Sequence, residues 1–362
     1  MPHSERLWRR VGLFPPLPYV GLSNSSLSLG KFAGGNYHPT VTDLLDVRSL
    51  TVELPTPLGW VRPVNQVSLK IAKGESLGLV GESGSGKTML SLALMGLLPT
   101  GSRVSGEAFL NAGEAPTKNL AQLTDAEWRA VRGREAAMIF QEPMTSLNPV
   151  MRIGPQIAEA IRAHEPHITR AATQQRTIEA LEHAAVPEPQ VRARQYPHQL
   201  SGGLRQRAMI AMAIAGRPHL LIADEPTTAL DVTVQLQILQ LLDQLRREMH
   251  LGLLFITHDL GVVAKVAERI AVMYAGRIVE QGPTEAVLTS PKHPYTQGLL
   301  AASPTLLRGK LSPIPGNVPR LTALPPGCSF APRCSFHRAE CDAAVPNLRP
   351  ANSPQTARCI LV

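Results

Sequence analysis

Gly81-Glu82-Ser83-Gly84-Ser85-Gly86-Lys87-Thr88 lies between a short apolar run, Ser76 to Val80, and a stretch from Thr88 to Leu98 that suits a helix. A strand that breaks into a Gly-rich loop and then enters a helix has a definite physical capacity. The glycines let the backbone turn tightly, so successive N–H groups and a helix N-terminus converge where an anion can sit. Every fixed position of the phosphate-loop (P-loop) pattern is filled. Lys87 is placed to neutralise the β- and γ-phosphates of a nucleoside triphosphate, and Thr88 to hold Mg2+. A Gly-rich turn that binds nothing is the bland alternative, and the flanking strand and helix weigh against it. The loop does not choose among kinases, GTPases and ATPases.

Outward from this loop, Leu44 to Glu53 and Val61 to Ile71 alternate apolar and polar residues as half-buried strands do. Residues 155 to 215 read as mostly helical. Leu220 to Ala223, Leu251 to Thr257 and Ile270 to Tyr274 read as buried strands, with a helix from Val232 to about Met249 between the first two. Buried strands alternating with helices predict an α/β fold whose mainly parallel sheet is covered on both faces. Residues 1 to 42, rich in Ser, Gly and Pro, read as a flexible leader without the uninterrupted apolar segment of a signal peptide. Beyond Ser290 the composition shifts to Pro, Cys and Arg, which places a boundary near 289/290.

Composition narrows the class. No apolar run reaches the ~20 residues that span a bilayer, so work at a membrane requires another subunit to cross it. Lys and Arg number 36 against 28 Asp and Glu, but they are scattered, and aromatics are 4%. That leaves no basic-aromatic platform for single strands, and no nucleic-acid partner is expected.

Two further segments carry chemistry. Leu220-Leu221-Ile222-Ala223-Asp224-Glu225 ends a buried strand in two carboxylates. Asp224 is placed to bind Mg2+ through water, and Glu225 to polarise an attacking water. Ser201-Gly202-Gly203, before a helix from Leu204, makes a second phosphate-cradling helix N-terminus. A simple helix cap is its default reading. It lies about two dozen residues before Asp224.

In chain order these motifs resemble those of the ABC ATPases, over roughly residues 44 to 285. The likeness rests on the P-loop, Gln141 in Phe140-Gln141-Glu142-Pro143, Leu200-Ser201-Gly202-Gly203, Asp224-Glu225, the turn Ala229-Leu230-Asp231, and His258 in Thr257-His258-Asp259. It implies a P-loop NTPase with a RecA-like mixed sheet and helices on both faces. It further implies an antiparallel β subdomain, an inserted helical subdomain at about 145–215, and a cassette spanning 43–289. The implied cofactors are ATP and Mg2+. By resemblance Gln141 senses Mg2+ and the attacking water, Asp231 organises a dimer interface, and His258 contacts the γ-phosphate. One P-loop leaves the γ-phosphate open on its outer side, and the Ser201 segment of another cassette can cover it. A second ABC ATPase subunit, identical or paralogous, is therefore an expected partner. Trp60 is a candidate for stacking on adenine, with hairpin packing as its alternative.

The tail resembles the C-terminal extension of dipeptide, oligopeptide and nickel importer ATPases. Pro291-Lys292-His293-Pro294-Tyr295-Thr296-Gln297-Gly298-Leu299-Leu300, Ile314-Pro315-Gly316 and Pro326-Gly327-Cys328 carry that likeness, as does the segment from Phe140 to Ile153. It implies import of peptides, with nickel or another small solute as the alternative cargo. The implied location is the cytoplasmic face of the inner membrane. Two permease subunits and, indirectly, an extracytoplasmic solute-binding protein are the implied partners. A soluble ABC ATPase of DNA repair or translation is the rival, but those carry long coiled coils or two cassettes. All four cysteines, Cys328, Cys334, Cys341 and Cys359, lie in the tail with gaps of five, six and seventeen residues. A reducing compartment argues against disulfides. The gaps fit neither compact zinc spacing nor a short ferredoxin run. The resemblance implies a 4Fe-4S iron–sulfur cluster over zinc, with four unligated thiols as the remaining alternative and a structural role in either case.

Overall fold

The computed structural model describes residues 43–57, 59–113, 116–142, 146–228, 230–303, 312–351 and 354–362. The leader 1–42, Pro143-Met144-Thr145 and Ala229 lie outside the described residues. The rest of the chain from residue 43 forms one compact unit.

Strands β1 (Asp43–Thr56) and β2 (Gly59–Ala72) form a long hairpin. Strand β3 (Ser76–Val80) follows and leads into the P-loop. Strands β4 (Arg103–Leu110) and β5 (Lys118–Asn119) join the hairpin in a four-stranded sheet of order β2-β1-β4-β5. The second sheet holds β3, β6 (Ala136–Ile139), β7 (Leu220–Asp224), β8 (Gly252–Thr257), β9 (Arg269–Tyr274), β10 (Arg277–Pro283), β11 (Arg349–Pro350) and β12 (Thr356–Ala357). Its order is β11-β12-β10-β9-β3-β8-β7-β6, parallel from β9 to β6 and antiparallel beyond β9. This is a mixed α/β sheet, as the motifs imply.

Every residue of β3, β7 and β8 is buried, as a strand covered on both faces requires. Alternate residues serve different cores. Leu221, Ala223, Leu253 and Phe255 pack towards the helical side, whereas Leu220, Ile222, Leu254 and Ile256 pack towards the antiparallel sheet. The stretch expected to be mostly helical resolves into helices Ile153–Arg162, Arg170–His183, Pro189–Arg192 and Gly202–Ile214. The helix expected to reach Leu98 ends at Leu94, because Gly96 takes a positive φ of 61° and Leu97 N–H bonds back to Leu92.

The segment beyond 290 packs against the cassette and extends its sheet. Glu280, fully buried in β10, accepts the N–H groups of Lys292 at 2.7 Å and His293 at 2.9 Å. Strand β12 pairs with β10, and Tyr295 and Phe330 belong to the main core. Burial holds His293 down at about pKa 3, so its neutral Nδ1 accepts the N–H of Tyr295. Replacing Glu280 by Ala leaves buried donors unpaired, so Glu280→Ala should cost about 3 kcal/mol. Urea unfolding checks this; an unchanged midpoint would show that the tail is held by its apolar contacts alone.

Candidate active site

Strand β3 delivers the chain into the P-loop at a point where backbones pass too closely for side chains. A Cβ on Gly81 would lie 2.1 Å from the Met273 carbonyl oxygen, and one on Gly86 would lie 1.9 Å from that of Pro63. Gly86 also has φ +106° and caps the helix Lys87–Leu94. Gly84, Ser83 and Thr88 are exposed on the loop, whereas Ser85 and Lys87 are buried. The Lys87 ammonium, 4% exposed, donates to Gly81 O at 2.7 Å and Glu82 O at 3.0 Å. Burial lowers its pKa, against the opposing charges of Glu225, Asp224 and Glu82. The side chain thus lies folded across its own loop, able to exchange two carbonyls for phosphate oxygens.

Strand β7 carries Asp224 to the same place. Asp224 is 1% exposed; its Oδ2 accepts from Ser91 at 3.3 Å, while Oδ1 has no hydrogen-bond partner. Burial raises its pKa, tempered by the hydroxyls of Thr88 and Ser91. An orphaned, buried carboxylate oxygen next to the Thr88 hydroxyl fits a divalent cation whose other ligands come from phosphate and water. Among the described residues no three His, Cys, Asp or Glu side chains form a metal-holding group. These two residues are therefore a partial set, as suits an ion that arrives with its nucleotide.

Three side chains converge on Glu225. Gln141 Nε2 donates to Oε2 at 3.2 Å, Thr228 Oγ1 donates to Oε2 at 2.9 Å, and His258 Nδ1 lies 3.4 Å from Oε1. The backbone of Glu225 is itself unusual, with φ +46°, and its N–H donates to Ile256 O. Such a conformation persists where its surroundings over-determine it. The bond with His258 lowers the Glu225 pKa despite partial burial, and the same bond raises that of His258. Gln141 therefore touches the carboxylate expected to polarise water. Thr228 was not singled out from the sequence, where it is one of two threonines after Glu225-Pro226; only the fold aims it.

Ser201 caps the helix Gly202–Ile214, accepting from Leu204 N–H at 3.3 Å. Asp231 caps the helix Val232–Met249 through Val234 N–H at 2.9 Å. The two caps are neighbours: a Cβ on Gly203 would meet Val234 at 2.9 Å, and one on Gly202 would meet Leu230 at 3.8 Å. Ser201, Gly202 and Asp231 are exposed, leaving the positive end of a 13-residue helix facing outward. Trp60 sits near the tip of the β1–β2 hairpin, exposed, with the Arg103 guanidinium 3.9 Å from its ring centre.

In the tail, Cys328 N–H donates to Cys341 O at 2.8 Å. Burial raises the pKa of Cys328 and of Cys334, and the Cys341 and Cys359 thiols raise both further. The four thiols thus share a neighbourhood, without three converging closely enough to hold a metal ion. Glu82, in the loop, is gripped from the tail by Arg333 and Tyr295. Neither residue was singled out from the sequence for a role at the loop.

The ABC transporter family model matches residues 64–228, and the oligopeptide/dipeptide transporter C-terminal region matches residues 279–341. The oligopeptide transport ATP-binding protein OppD of Haemophilus influenzae is 47% identical over 320 residues, covering 88% of this chain and 97% of that protein. The dipeptide transport ATP-binding protein DppD of the same organism is 48% identical over 307 residues, covering 84% and 92%. The chain belongs to the ABC transporter ATP-binding family. A dimeric ABC cassette solved in a post-hydrolysis state with ADP and Pi superposes with TM-score 0.58 at 28% identity, covering 66% of this chain and 98% of that one. This ABC protein is accordingly an ATPase whose hydrolysis is coupled to transport. No helix among the described residues is long and apolar enough to cross a membrane.

The Glu225–His258 contact has a measurable signature in the ATP-free protein. The His258 imidazole should titrate above its ordinary value, and Glu225→Gln should bring it back down, as followed by NMR of the ring protons. The pair is charged at pH above the lowered Glu225 pKa, and that charge is lost as pH rises through the raised His258 pKa. An imidazole pKa indifferent to Glu225→Gln would separate the two residues.

Proposed function

We propose that this ABC ATPase energises import of peptides across the cytoplasmic membrane, working on its inner face with two permease subunits and an extracytoplasmic binding protein. The convergence of Gln141, Thr228 and His258 on Glu225, beside Lys87 and Asp224, carries the hydrolytic part of this reading. The names of the relatives OppD and DppD support the cargo.

The nucleotide phosphates lie in the cradle of Gly81 to Thr88, where Lys87 leaves Gly81 and Glu82 for the β- and γ-phosphate oxygens. Thr88 and Asp224 would hold Mg2+, which would supply charge stabilisation for the transferred phosphoryl group. Glu225, whose pKa is lowered, is ionised at neutral pH and accepts a proton from the attacking water while Gln141 orients it. His258 is freed from Glu225 to donate to the γ-phosphate. The outward helix end at Ser201, Gly202 and Gly203 covers the γ-phosphate of a second cassette, with Asp231 beside it at the interface. Loss of that phosphate bridge on hydrolysis reopens the pair, which is the motion delivered to the permease.

General-base loss typically removes roughly 10²–10⁴-fold of rate, so Glu225→Gln should bind MgATP, hydrolyse it at least about a hundredfold more slowly, and elute as an ATP-dependent dimer in gel filtration. A host lacking its own peptide importer, given the cognate permease and binding protein, should grow on a peptide source with wild type and not with Glu225→Gln. Turnover near wild type removes Glu225 from its role; growth with the variant removes the coupling to import.

For the tail we take the 4Fe-4S cluster on Cys328, Cys334, Cys341 and Cys359 as the ligand reading. Its support is the tail's match to the oligopeptide/dipeptide transporter C-terminal region and the shared neighbourhood of the thiols; no three of them converge on a metal ion here, so binding the cluster would have to draw them together. Anaerobically purified protein should show broad visible absorption and bound iron, both lost in Cys334→Ser. A colourless, iron-free protein leaves the thiols unligated.

A further inference from the structure

The P-loop contains an acid, and a loop built to receive phosphates gains nothing from one. Glu82 stands next to Gly81, its carbonyl accepts from Lys87, and its carboxylate is near enough to act on the Lys87 charge. Left alone its negative charge would oppose the phosphates, because like charges repel. It is not left alone. Arg333 from the C-terminal segment donates to both carboxylate oxygens, Nη1 to Oε2 at 2.7 Å and Nη2 to Oε1 at 3.1 Å. The Tyr295 hydroxyl accepts the Glu82 N–H at 2.8 Å.

These partners are themselves fixed. Arg333 is 8% exposed, donates from Nε to Pro315 O at 2.9 Å, and lies 3.4 Å from the Tyr274 hydroxyl. Tyr295 is fully buried, with ring centres 4.5 Å from Tyr274 and 5.4 Å from Phe330. A buried, two-pronged arginine on a carboxylate is a geometry that lysine or a neutral side chain cannot reproduce. Arg333 also lies between Cys328 and Cys334 in a short turn closed by Arg333 N–H to Phe330 O, so the cysteine segment presents it.

We propose that Arg333, with Tyr295 beside it, is a positioning residue of the ATP site: it neutralises Glu82 and holds the start of the P-loop in the shape that receives phosphate. The C-terminal segment is then part of the nucleotide site. This rests on the reading of Gly81 to Thr88 as the phosphate cradle.

The test uses the full-length protein and MgATP, with affinity from calorimetry, kcat and KM from phosphate release, and Tm recorded alongside. Arg333→Met, which keeps length and removes charge, should weaken MgATP binding about tenfold while kcat at saturating ATP stays within about twofold of wild type. Adding Glu82→Gln should restore affinity to within about threefold, because the unneutralised carboxylate is gone. A double variant as weak as Arg333→Met, or Arg333→Met with wild-type affinity, overturns the proposal, whatever happens to Tm. Should Arg333→Met not fold, Arg333→Lys and Tyr295→Phe take its place, each expected about threefold weaker, and wild-type affinity in both overturns it equally. A wild-type protein that binds no MgATP would remove the cradle reading and this proposal with it. Normal wild-type binding with unaffected variants removes this proposal alone.

Discussion

The site depends on the burial of β3 and β7 on both faces. Strands with no exposed residue leave their polar side chains only one outlet, which is the C-terminal end of the sheet. Val80 hands the chain to the P-loop there, and Asp224 and Glu225 emerge two strands away across β8. Parallel pairing in register, Val80 with Thr257 and Asp224 with Ile256, brings these ends level. His258 follows Thr257 directly and so arrives at the same edge.

Charge at that edge is set by burial and by close polar partners. Lys87 is buried and satisfied by carbonyls, Asp224 keeps one oxygen unpartnered, and Glu225 is held ionised by His258. Each group is in the state that a magnesium nucleotide can use: a cation to lend, an oxygen to coordinate with, and a base already deprotonated. The outward caps at Ser201 and Asp231 have a different logic. They satisfy helix ends within the chain yet leave a positive helix terminus exposed on the surface.

The tail changes the picture most. Its cysteines lie far from the P-loop in sequence, which suggests a structural role for any site they form. Yet Arg333 meets Glu82 across 251 residues of chain, and Glu280 of β10 ties the tail's first turn to the sheet. Sequence separation carries no information about such contacts, since an Arg in a Pro-rich stretch has no periodicity to mark its target. The same blindness hid Thr228 and the strands β4 and β10, which no motif flanks, as well as the four-residue β6, although it runs straight into Phe140-Gln141.

By itself the sequence determined the chemistry that lies within contiguous segments. The glycines of the P-loop, the buried strand ending in Asp224-Glu225 and the Ser201 cap are local patterns, fixed by backbone sterics and strand burial, and they were legible with their α/β class. Trp60 shows the limit: the sequence offers it both base stacking and hairpin packing, and only the fold sets it near the hairpin tip with Arg103 over its ring. Only the tertiary structure decided which side chains share Glu225, that Asp224 retains a free oxygen, and that the tail neutralises Glu82. Those outcomes depend on the register between strands and on the packing of distant segments, where burial makes each charge seek whichever partner the fold supplies.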